Sequence, residues 1–114
     1  MKFEWFSRLY CEARYDYSDE EMFIAERGWQ DWMEDFPEEK LGEILSTIWD
    51  FSKCSINELR EKLGINKKKF AAIYNIPYAT MVKWDVDGDN NRNPPEYLEM
   101  LVAYTVYENM TLEH

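Results

Sequence analysis

The side chains in this chain best suited to hold a charged ligand are six cations between residues 55 and 84: Arg60, Lys62, Lys67, Lys68, Lys69 and Lys83. Only two acids, Glu58 and Glu61, share that stretch, so it carries a net charge of +4 in a chain whose total is −10. Residues 1–53 hold 6 Lys or Arg against 14 Asp or Glu, a net of −8. Phosphate binding needs a local cationic patch, so the basic island says more about partners than the overall acidity does. The acidic bulk lowers non-specific affinity for a polyanion by long-range repulsion.

Other chemistries find less support. Asp85, Asp87, Asp89 and Glu96 stand at positions 1, 3, 5 and 12 of an EF-hand-like calcium loop. Asn90 occupies the place where that loop needs glycine, Arg92 replaces an apolar residue, and Pro94-Pro95 stiffen the exit. A solvated polar loop is the better reading, and no metal or cofactor is expected. Cys11 and Cys54 are 42 residues apart in the intervening chain, which is no metal spacing, so they read as buried or half-buried thiols in a reducing compartment. Trp5, Trp29, Trp32 and Trp49 fall among other apolar residues at helical spacing, which points to core or dimer interface rather than a ligand pocket. Glu38, Glu39 and Glu43 read as a solvated helix face. Leu112-Glu113-His114 resembles a tag remnant, which sets aside the single histidine. No serine or cysteine has a base beside it and no glycine-rich phosphate loop is present, so no enzyme is expected.

The elements that position the cations are helical throughout. Phe3, Phe6, Leu9, Tyr10 and Ala13 recur at three- and four-residue spacing, which predicts a helix over residues 3–14. Ser18 with Glu21 forms a capping-box pattern, opening a helix that carries Phe23, Ile24, Trp29, Trp32 and Met33 and ends near Asp35. Pro37 suits the first turn of the next helix, whose apolar stripe is Leu41, Ile44, Leu45, Ile48 and Trp49. Ser55 with Glu58 predicts a second capping box, with Leu59 and Leu63 facing inward and Gly64 as the stop. Asn66 caps the following helix, which buries Phe70 and Ile73 and stops at Asn75. Ile76-Pro77 turns the chain into a third short helix ending at Trp84. A polar loop, Asp85 to Asn93, leads through Pro94-Pro95 to a last helix burying Leu98, Leu101 and Val102, with Val106 a further candidate. Few Gly and Pro, and a 17% aromatic content, fit an all-α domain with a real core.

Residues 55–104 resemble the lambda-repressor/Cro-like helix-turn-helix family, in the subgroup whose recognition helix ends in Trp and leads to a Pro-Pro-Glu-Tyr helix. Asn66, Lys67, Phe70, Ala71, Asn75 and Ile76 occupy the family's positions around the turn. Lys67 stands where the family has Gln, and the loop between Trp84 and Arg92 is longer than the family's. The resemblance implies that Ala71 is small for a close helix crossing, and that Ile76 and Met81 pin the recognition helix to the core. It implies that Tyr78, Ala79, Val82 and Lys83 face the major groove, while Lys67, Lys68 and Lys69 meet backbone phosphates. Lys83 would reach guanine acceptors and Ala79 a thymine methyl.

The expected architecture is all-α: a lambda-repressor-like helix-turn-helix bundle over residues 54–108 with an acidic N-terminal helical extension over 1–53. That extension would pack on the bundle or dimerise. The expected function is a DNA-binding transcriptional regulator or antitoxin-like repressor. The alternative is an acidic protein-interaction module, a possible DNA mimic, with the helix-turn-helix as scaffold. With no apolar run long enough to cross a membrane and no signal-peptide pattern in Met1-Lys2-Phe3-Glu4-Trp5, the expected location is the cytoplasm.

Overall fold

The computed structural model describes residues 1–27, 30, 33–34, 38–84 and 94–110. Among them, every regular element is helical: α1 (Phe3–Cys11), α2 (Glu20–Glu26), α3 (Leu41–Ser52), α4 (Ile56–Leu63), α5 (Lys67–Ile73), α6 (Tyr78–Lys83) and α7 (Glu96–Asn109). No helix of the described residues is long and apolar enough to cross a membrane. Trp29, Trp32, Asp35, Pro37, Asp85 to Asn93 and Leu112 to His114 lie outside the described residues.

α1 buries Phe6, Leu9 and Tyr10, as its spacing predicts, but its α-helical geometry stops at Cys11. Residues Glu12–Asp16 continue as a π-helical turn with Ala13 buried. There the Lys53 ammonium donates to the Ala13 carbonyl at 2.9 Å and lies 4.3 Å from the centre of the Trp49 ring. A long cation at the C-terminal end of α3 thus satisfies a polar backbone group of the turn while its ammonium lies over an aromatic face.

The second helix departs from expectation at both ends. Its cap is Asp19, not Ser18: the Asp19 carboxylate accepts from the Glu21 and Met22 amides at 2.8 and 3.2 Å. Either residue type can cap, and the ionised one adds a favourable interaction with the helix N-terminus. The helix ends at Glu26 rather than near Asp35, because Arg27 leaves helical geometry and turns its guanidinium back to Glu12 at 2.6 Å. Gly28, a poor helix former, follows in sequence. Met33 still reaches the core, from outside the helix that was expected to carry it.

A single-turn 3-10 segment, Glu38–Lys40, leads into α3, which buries Ile44, Leu45, Ile48 and Phe51. α3 packs against α1, α2 and α7, and α7 packs also on α1 and α4. Around Phe6 the rings of Tyr10, Tyr104 and Tyr107 stand at centroid distances of 6.0, 5.1 and 5.5 Å. One hydrophobic cluster runs from these rings through Ile48, Phe51 and Leu59 to Phe70, Met81 and Val102. The acidic N-terminal helices and the basic segment therefore share one core.

α7 buries Leu98, Glu99, Val102, Ala103, Val106 and Tyr107. Leu101, expected inside, is exposed. At about 100° per residue the buried pairs repeat every four residues, and a residue three on from Leu98 falls roughly 60° behind that stripe. Ile73 on α5 is exposed for the same reason, since it follows buried Phe70 by three.

Candidate functional site

The basic segment is set up by a series of local stops. Ser55 Oγ accepts from the Glu58 amide and Glu58 Oε1 accepts from the Ser55 amide, both at 3.2 Å, which completes the capping box. α4 ends at Gly64, whose φ of +72° is the left-handed conformation that only glycine adopts without strain. Arg60 then fixes the turn, donating through Nη1 to the Ile65 carbonyl at 2.7 Å and through Nε to Asn57 Oδ1 at 3.3 Å. This cation of the island is occupied by the fold.

Asn66 Oδ1 accepts from the Lys69 amide at 2.8 Å and starts α5. α5 buries Phe70 and Ala71 and packs against α6. Asn75 ends it with φ at +54°. The Ile76 amide donates to Ala71 O at 2.8 Å and the Asn75 amide to Ala72 O at 3.4 Å, the paired bonds of a Schellman motif. The chain then leaves through Pro77 directly into α6.

α6 has two unlike sides. Met81 is buried, with Thr80 and Trp84 half-buried and Ile76 packed against the core beside it. Tyr78, Ala79, Val82 and Lys83 are exposed. At about 100° per residue those four occupy one continuous arc of the helix, and Thr80, Met81 and Trp84 the other. Lys68 and Lys69 are exposed and Lys67 half-buried. All seven expected site residues thus lie on the packed pair α5–α6, and no Asp or Glu occurs from residue 62 to residue 84.

Elsewhere the polar groups are engaged with each other. Arg14 Nη1 donates to Tyr10 Oη at 3.1 Å and to Glu99 Oε2 at 3.0 Å, joining the π turn to α7. Burial pushes the Tyr10 hydroxyl up to about 12, with the Arg14 charge working against it. Burial pulls Arg14 down, but the hydrogen bond and charge of Glu99 outweigh this and raise it overall. Sequence reasoning missed this cluster: Tyr10 and Arg14 share a helix face, but nothing local points to Glu99. A small cleft of about 50 Å³ is lined by Trp5, Arg8, Leu9, Glu12, Arg27 and Gln30. Its central polar atoms, Glu12 Oε2 and Arg27 Nε, pair with each other. Trp49 packs against the core. Cys11 and Cys54 are free and half-buried, and burial raises both thiols above their ordinary value. Among the described residues no group of three His, Cys, Asp or Glu could hold a metal ion. The acids Asp85, Asp87 and Asp89 of the calcium-like loop are outside those residues.

Comparison with protein-family models, curated proteins and solved structures finds no match to this chain.

Proposed function

We propose that the chain is a DNA-binding transcriptional regulator or antitoxin-like repressor in which α5, the Asn75 turn and α6 act as a helix-turn-helix. The observation that carries this reading is the two-sided α6: Met81 anchors it to the core while Tyr78, Ala79, Val82 and Lys83 project outward. A recognition helix needs one seated face and one free face. α6 would enter the major groove, with Lys67, Lys68 and Lys69 meeting phosphates and setting its register. The acid-free run from residue 62 to residue 84 supports this, since an acid beside the groove would be repelled by the phosphates.

The competing reading is an acidic protein-interaction module. It draws on α2, where exposed Asp19, Glu21 and Glu26 surround exposed Met22. A gel shift against random and genomic duplex DNA at low salt separates the two. The regulator shifts DNA, loses the shift as salt rises, and loses it on Lys67→Glu with Lys83→Glu. Absence of any shift at low salt rejects the regulator and favours the interaction module.

A further inference from the structure

The outward side of α6 is unusual for a surface meant to read bases. Three of its four residues, Tyr78, Ala79 and Val82, offer mainly carbon, and Tyr78 and Val82 are 47% and 40% exposed. They fall within about 100° of arc on the helix, so they form one apolar strip with Lys83 at its margin. Apart from the single Tyr78 hydroxyl, such a strip has no group for the paired acceptors of guanine O6 and N7 or for the adenine N7 and N6 pair, and pressing its carbon on them strips their water without replacement. One feature of the major-groove edge is itself apolar, the C5-methyl group of thymine.

Resting on the DNA-binding reading above, we infer that the Tyr78–Ala79–Val82 strip recognises pyrimidine 5-methyl groups, so that sequence preference is set by methyl contacts rather than by bidentate hydrogen bonds. Charge complementarity selects DNA as the occupant over an apolar protein surface. The strip shares its helix pair with exposed Lys68, Lys69 and Lys83 and with no acid, which suits a phosphate-flanked groove and leaves a neutral protein face with desolvated cations. The strip consequently favours runs of thymine, and it accepts 5-methylcytosine in place of thymine at a contacted position because the two present the same methyl group.

The test uses the full chain and duplexes retained by it from a random-sequence library, resynthesised with uracil in place of thymine, which removes only the methyl. Affinity is expected to fall about fourfold for each contacted methyl removed, the value of one buried carbon. Cytosine at a contacted thymine position should weaken binding, and 5-methylcytosine should recover part of it. Val82→Ala and Tyr78→Ala change exposed side chains that the core does not use, so both variants should fold while showing a smaller thymine-to-uracil ratio. Equal binding of thymine and uracil duplexes overturns the inference and leaves DNA binding intact. An undiminished ratio in both variants moves methyl recognition away from this strip and also overturns it. A protein that retains no duplex from the library at low salt loses both the inference and the reading beneath it.

Discussion

The α1–α3–α7 scaffold and the α5–α6 pair use their cations in opposite ways. In the scaffold Arg14 binds Tyr10 and Glu99, Arg27 binds Glu12, and Lys53 caps a carbonyl over Trp49. At the edge of the pair Arg60 is likewise consumed by the Ile65 carbonyl. On α5–α6, by contrast, Lys68, Lys69 and Lys83 are exposed and make no ion pair among the described residues. Burial differs in the same sense. α1 and the π turn together bury Phe6, Leu9, Tyr10 and Ala13, whereas α6 is held by buried Met81 alone with half-buried Thr80 and Trp84 at its side. Charges that stabilise a fold are paired within it, and the exposed lysines of a helix pair that carries no acid of its own are available to a ligand.

That contrast can be broken from the scaffold side first. Phe6→Ala removes the ring shared by Tyr10, Tyr104 and Tyr107 and is expected to cost about 3–5 kcal/mol in chemical denaturation. The α5–α6 pair should unfold with it in one transition, because Phe70 and Met81 belong to the same core. A residual transition assigned to α5–α6 would separate the two regions.

Tyr10 gives a smaller effect with a pH signature. Its ionisation is raised in the fold from 10.0 to about 12, so the stability it supplies is present below pH 10 and disappears as pH rises through 12. The shift corresponds to about 2–3 kcal/mol lost over that window. Tyr10→Phe should cost about 1 kcal/mol at pH 7 through the lost Arg14 bond. Because the variant lacks the titrating hydroxyl, that deficit should close and then reverse in its favour between pH 10 and 12, measured by urea titration at each pH. A constant deficit across the window would show that Tyr10 does not titrate as a buried group.

Around the α5–α6 pair the expected changes are smaller still. Asn66→Ala removes the α5 cap and should cost about 1 kcal/mol, and Gly64→Ala a similar amount through left-handed strain rather than collision. Hydrogen exchange should show the Asn66→Ala loss concentrated in α5. Uniform loss across α1 and α3 would argue that the pair has no local stability of its own.

The local stops were legible in the residues themselves. Ser55, Gly64, Asn66 and Asn75 act through bonds to neighbours within a few positions, so type and spacing sufficed. The exposed arc of α6 was expected from the family resemblance, and the helical period over six residues puts the same four side chains together. Ile73 and Leu101 were misplaced because three-residue steps were followed where the buried stripes advance by four. Just past the end of α2, Arg27 pairs with Glu12, and the Arg14–Glu99 pair joins residues 85 apart in sequence. Such contacts are set by how helices pack, which no local pattern encodes.

The smallest effect on stability should accompany the largest on binding. Lys68→Gln, Lys69→Gln and Lys83→Gln remove exposed charges and should each leave stability within about 0.5 kcal/mol. The decisive measurement is the slope of log affinity for duplex DNA against log salt, in the parent and in the triple variant. The account predicts a steep negative slope that becomes shallower by about 0.9 for each lysine removed. An unchanged slope in the folded triple variant, or no measurable affinity of the parent at low salt, would contradict it.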